Sequence, residues 1–156
     1  MAVKPVPEGY HTLSAYLAVV DADQAIDYYK KAFGAKERVR MEAPGGAVGH
    51  AELEIGDSVV MLSDPFPQSS TKPPKELGGS TASVFMYVED VDAVVKQAVD
   101  EGATVLMEVE DQFWGDRFGT VQDPFGHSWS IATHVEDVPP EEMAERAKAA
   151  MAEMSG

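Results

Sequence analysis

The chain has 156 residues, 44% of them apolar, and a formal net charge of −15, a composition that suits a packed domain and argues against disorder. Such negative charge repels nucleic-acid backbones and anionic membrane surfaces, so neither is expected as a partner. Cysteine is absent, which excludes disulfides, thiolate metal sites and a cysteine nucleophile.

Residues 1–10 contain Pro5 and Pro7 and no long apolar run, so no signal peptide is expected. No stretch reaches the roughly 20 apolar residues that span a bilayer, and a cytoplasmic location is expected. A β-rich run then leads to Asp21, whose carboxylate is placed to cap a helix. Ala22, Ala25, Ile26, Tyr29 and Phe33 recur at helical spacing, and Gly34 is suited to end that helix. Strands are expected over roughly 35–42, 47–55 and 58–64, with Gly56-Asp57 as a hairpin turn. Residues 65–81 hold four prolines and two glycines. They read as a mobile linker able to close over a pocket.

The order then repeats. A β-rich run reaches Asp90. Val91, Val94, Val95, Ala98 and Val99 mark a second helix closed at Gly102, and strands are expected over about 103–109, 117–122 and 127–134. Strand, helix and three strands thus occur twice, as module one (about 10–64) and module two (about 82–137). Each module is too small to cover its own sheet, so the pair should pack as one domain, residues 1–137. Pro139 and Pro140 open a tail over 138–156, in which Met143, Ala147, Ala150, Met151 and Met154 form a helical apolar stripe.

Strand alternation sorts the side chains onto two faces. Ala51, Leu53, Ile55, Val60 and Leu62 are expected to cover the helices. His50, Glu52, Met61 and Ser63 fall on the opposite face, with Ser14 and Tyr16 from the first strand. Module two offers Ser83, Phe85, Ser128 and Ser130 in the same sense. His50 and Glu52, two apart on one strand, form a candidate acid/base pair; the alternative is a structural hydrogen-bonding role at the strand end. Trp114 and Arg117 lie in the segment 111–119 at the expected cavity mouth. They suit stacking on a planar ligand and binding a carboxylate, or else packing on the adjacent strands and pairing with a nearby acid. His127, just after a turn, is expected to bond the backbone.

The segments AIDYYKKAFGA, GHAELEIGDSVVMLSD, YVEDVDAVVKQAVDEGA and FWGDRFGTVQDPFGHSWSIATH together resemble the vicinal oxygen chelate (glyoxalase/bleomycin resistance/dioxygenase) superfamily, especially its PhnB-like branch. The resemblance covers about residues 12–137. It implies an α+β fold in which tandem βαβββ modules curl into a cup-like mixed sheet enclosing a cavity, here followed by a C-terminal helix. Many members of that superfamily hold a divalent metal through the first, fourth, fifth and eighth strands. Those positions carry over to Ser14, Met61, Ser83 and Ser130. Neutral hydroxyls and a thioether do not replace the imidazole and carboxylate donors such metals require, so no cofactor is expected.

What the resemblance implies is therefore a homodimeric binder of a small organic ligand in an aromatic, hydroxyl-lined cavity. Its expected lining is Ser14, Tyr16, Met61, Ser83, Phe85, Trp114, Arg117 and Ser130. The competing expectation is a glyoxalase-like lyase or isomerase. It would use His50 and Glu52 as acid and base, or an atypical divalent-metal site built from them with His11.

Overall fold

The computed structural model describes residues 2–156. Module one runs β1 (Ala15–Ala18), α1 (Ala22–Phe33), β2 (Lys36–Glu42), β3 (Val48–Ile55) and β4 (Ser58–Ser63). A short helix, α2 (Pro74–Leu77), lies in the connection. Module two runs β5 (Ser83–Tyr87), α3 (Val91–Asp100), β6 (Thr104–Asp111), β7 (Asp116–Gln122) and β8 (Ser128–His134), and α4 (Pro140–Met154) follows. Both expected caps form: the Asp21 carboxylate accepts from Gln24 N at 3.2 Å and the Asp90 carboxylate from Ala93 N at 3.0 Å. Gly34, at φ 65°, closes α1 in the left-handed conformation that favours glycine.

Each module forms a four-stranded mixed sheet, ordered β1-β4-β3-β2 and β5-β8-β7-β6. The outer strands β1 and β5 run parallel to β4 and β8, and the remaining neighbours are antiparallel. The tandem βαβββ reading therefore holds. The two sheets remain separate and form no closed barrel among the described residues. The β3–β4 hairpin turns where expected, pairing Ile55 with Ser58, Leu53 with Val60 and Ala51 with Leu62. Ala51, Leu53 and Leu62 are fully buried on the helix side.

A single core joins the modules. Tyr29 and Phe33 of α1 lie against Trp129 of β8, with ring centroids 5.3 and 4.6 Å apart. Below them the Asp123 carboxylate accepts from Tyr29 Oη at 2.5 Å and from Trp129 Nε1, Phe125 N and His127 N, each at 2.9 Å. Burial pushes the Tyr29 hydroxyl well above the usual phenol value, and the Asp123 carboxylate adds to this. His127 Nε2 donates to the Ala18 carbonyl at 2.9 Å, the expected backbone bond, here crossing between modules.

The connection departs from the mobile-linker expectation. Residues 67–72 are exposed, but Pro73 and Pro74 are buried, and a Cβ placed on Gly126 would lie 2.8 Å from the Pro74 Cβ. The second half of the connection is thus seated on the Asp123–His127 turn. The tail helix forms as expected. Its Arg146 pairs with Glu142 one turn earlier in the helix and with Glu136 just ahead of it, and reaches the domain through the Phe113 carbonyl at 3.2 Å. Among the described residues no helix is long and apolar enough to cross a membrane.

Candidate functional site

The sheet faces turned away from the helices carry most of the predicted site residues. On the first sheet, Tyr16 pairs in register with Met61, Glu52 with the same Met61, and His50 with Met41. Ser14 lies just before β1 and is exposed. On the second sheet, Ser83 pairs with Ser128 and Phe85 with Ser130. Little of this chain covers these faces: Tyr16 is 47% exposed, Phe85 49% and Tyr87 63%. Each face gathers its own set of predicted residues. The two sets do not close on a shared pocket within one chain.

A cavity of about 820 Å³ opens elsewhere, where the end of α1 and the β3–β4 turn meet β5 and α3. Phe33, Val60, Val84, Met86 and Trp129 line it, and of the predicted ligand-binding residues only Phe85 contributes.

The first face carries a hydrogen-bonded chain. Tyr16 Oη lies 2.9 Å from His50 Nδ1, and His50 Nε2 lies 3.1 Å from Glu52 Oε1. Tyr10, reaching over from the N-terminal arm, donates to the other Glu52 oxygen. Arg38 donates to the Gly9 carbonyl at 3.2 Å and stacks 4.7 Å from the Tyr10 ring centre, holding the arm in place. A neutral imidazole fits this chain, accepting from Tyr16 and donating to Glu52. Both His50 nitrogens are then engaged. The Tyr10 hydroxyl holds the Glu52 carboxyl below the usual carboxylate range; burial opposes this, and the His50 bond adds to the lowering. Glu52 is 8% exposed and ionised, which suits a fixed structural acceptor better than a free general base.

Tyr10→Phe is expected to move the Glu52 titration back toward ordinary carboxylate values in an NMR pH series. Because the folded-state value is depressed, Glu52 contributes its stability above the usual carboxylate range and loses it as pH falls through the folded value. The variant should therefore show a smaller acid-side loss.

The second face is an aromatic wall. Phe85 lies 5.1 Å from Tyr87 and is stacked 5.8 Å from Phe118, and Trp114 meets Phe118 edge-on at 5.7 Å. One carboxylate anchors its end: Asp116, 2% exposed, accepts from Tyr87 Oη, Trp114 Nε1 and His134 Nδ1 at 2.9, 2.9 and 2.8 Å. Burial pushes this carboxyl up, but the three donors outweigh it and leave it below the usual range.

Arg117 is a correction. It lies on the helix side of β7, where it pairs with both Asp92 oxygens at 2.6 and 2.9 Å and with Asp111 at 3.2 Å. It is not available to a ligand carboxylate on this face. The metal alternative through His11 also fails to assemble, since His11 Nε2 contacts the Asp57 carbonyl at 2.9 Å. Sequence reasoning missed Tyr10, Phe118 and the Asp116 hub. Strand alternation within 116–122 was the available signal for the last two.

The donor set at the four positions to which the resemblance carries metal ligands is Ser14, Met61, Ser83 and Ser130. It supplies no charge and no imidazole, so these residues do not fit a resident divalent ion. Among the described residues no group of three or more His, Cys, Asp or Glu side chains is arranged to hold one.

The sequence pattern of the glyoxalase/bleomycin resistance protein/dioxygenase superfamily matches residues 10–131, and the chain belongs to that superfamily. An uncharacterized protein of Mycobacterium bovis is 46% identical over 129 residues, covering 81% of this chain and 85% of its own. Among solved structures, TioX from Micromonospora sp. ML1 superposes with a TM-score of 0.64 at 30% identity, over 80% of this chain and 99% of its own. TnmS3, an antibiotic binding protein from Streptomyces sp. CB03234, shares the fold with a TM-score of 0.61 at 21% identity, over 86% of this chain and 98% of its own. A PhnB protein from Bacillus cereus is also among the structural neighbours, with a TM-score of 0.62 at 17% identity over 79% of this chain and 99% of its own.

Proposed function

We propose that this protein is a metal-independent cytoplasmic binder of a flat small organic molecule. The ligand lies between the aromatic wall of one copy and the Tyr16–His50 face of a second copy in a homodimer. The observation that carries this reading is the wall itself. Phe85, Tyr87, Phe118 and Trp114 are ordered against one another by ring contacts and by Asp116, yet Phe85 and Tyr87 remain about half or more exposed. Exposed aromatic surface of this kind marks an interaction site. Ser83, Ser128 and Ser130 supply uncharged hydrogen-bonding groups beside it. The shared fold of an antibiotic binding protein supports a ligand of this kind.

A second reading, a lyase or isomerase using His50 and Glu52, draws on the continuous Tyr16–His50–Glu52 chain. The full occupation of both His50 nitrogens favours the binding reading.

The test is a thermal-shift screen of planar polycyclic compounds on chelator-treated protein, with mass measured in solution and bound metal assayed. A ligand present at 100 times its Kd should stabilise the folded state by about 2.7 kcal/mol, and the protein should run as a dimer. Stabilisation that appears only after a divalent metal is restored would overturn the metal-independent reading.

A further inference from the structure

The last residue of β8 carries an arrangement that the ligand site does not use. His134 Nδ1 lies 2.8 Å from Asp116 Oδ1, and His134 Nε2 lies 2.8 Å from Asp137 Oδ1. An ionised carboxylate only accepts hydrogen bonds, so both ring nitrogens must donate, and only the imidazolium carries two N–H groups. We infer that His134 is a proton-operated latch: its imidazolium ties the start of the C-terminal tail to the buried Asp116 hub, and loss of one proton loosens that start of the tail.

The surroundings make the two ends unequal. Asp116 is buried and already accepts from Tyr87 and Trp114. A neutral His134 keeps its short bond there through Nδ1–H. Its Nε2 lone pair then faces the Asp137 carboxylate, and attraction becomes repulsion. Asp137 is fully exposed and free to swing away. The other groups around the latch are committed elsewhere. Tyr87 of β5 donates to Asp116, Glu136 pairs with Arg146 of α4, and the 112–115 turn carries no ionisable side chain. What remains to hold the tail is the Gly115 carbonyl, which accepts from Val135 N and Glu136 N at 2.9 and 3.0 Å, together with the Arg146 contacts. Gly115 fits closely there, since a Cβ on it would lie 2.2 Å from the Glu136 carbonyl oxygen.

The sign follows from the hydrogen bonds. Asp116 first, then Asp137, raise the His134 value above that of an ordinary histidine. The latch is therefore closed at and below ordinary histidine values and opens as pH rises through the raised value. His134 is half-exposed, so screening keeps the effect modest.

Nitrogen-15 NMR of the His134 ring reads the protonation state, and hydrogen exchange of residues 135–150, corrected for intrinsic rates, reads the tail. At pH 7 the ring should carry two N–H groups. Tail opening should increase about two- to fivefold between pH 6 and pH 9. Asp137→Asn changes an exposed side chain and should abolish this dependence while leaving exchange in β7 and β8 unchanged. His134→Gln should behave as the open form at every pH. A singly protonated His134 at pH 7, or an Asp137→Asn protein with the same pH response as the parent, overturns the inference.

Discussion

Asp123→Ala is expected to lower the unfolding free energy by about 3–5 kcal/mol. Four donors from α1, β8 and the turn converge on this one buried carboxylate. Truncation strands all four in a site already closed to water, and each unsatisfied buried group carries a desolvation cost. Domains of this size are stable by about 5–15 kcal/mol in total, so the variant should be marginal at room temperature. Trp129→Phe provides the graded comparison. It removes one donor and keeps most of the ring packing, and should cost about 1–3 kcal/mol. Urea unfolding followed by circular dichroism measures both. An Asp123→Ala loss below about 1 kcal/mol would mean that the hub does not bind the modules together.

Phe85→Asp is expected to leave the proposed dimer a monomer and to weaken planar-ligand binding by at least about tenfold. Phe85 touches both Tyr87 and Phe118, so a carboxylate there breaks the wall at its middle and places charge where apolar surface must be covered. Its side chain is half-exposed, and the folded content should be nearly unchanged by far-ultraviolet circular dichroism. Sedimentation gives the mass and a titration gives the affinity. A variant that stays dimeric with parental affinity would remove the wall from the proposed site.

The fold was legible in the sequence because its signals are local. Asp21 and Asp90 are caps, the apolar residues behind them keep helical spacing, and Gly56-Asp57 can turn only one hairpin between its flanking strands. The site was legible in part. Strand alternation put His50, Glu52 and Met61 on one face because a single hairpin fixes their register, and Tyr16 joins them through the parallel β1–β4 pairing.

Arg117 shows where this failed. β6 extends to Asp111 and β7 begins at Asp116. The connection expected over 111–119 is four residues, 112–115, and Arg117, at the expected start of its strand, faces α3. Along β7, Arg117 alternates with Asp116 and Phe118, so with those two on the wall its side chain turns to the helix side. Tyr10 was invisible for another reason. Its bond to Glu52 spans 42 positions and depends on how the N-terminal arm folds back, which no periodicity records. The Asp116–His134 pair likewise exists only through the β7–β8 register.

The seating of Pro73 and Pro74 has a consequence for a nicked molecule. Tyr29 and Phe33 from one half fill the hollow beside Trp129 of the other, while the backbone from 67 to 72 stands in solvent. A protease that severs the chain there cuts neither the shared interior nor the anchored prolines. The two fragments should remain together as one particle and separate only when the whole assembly denatures, so that each half serves as the template without which the other has no stable shape.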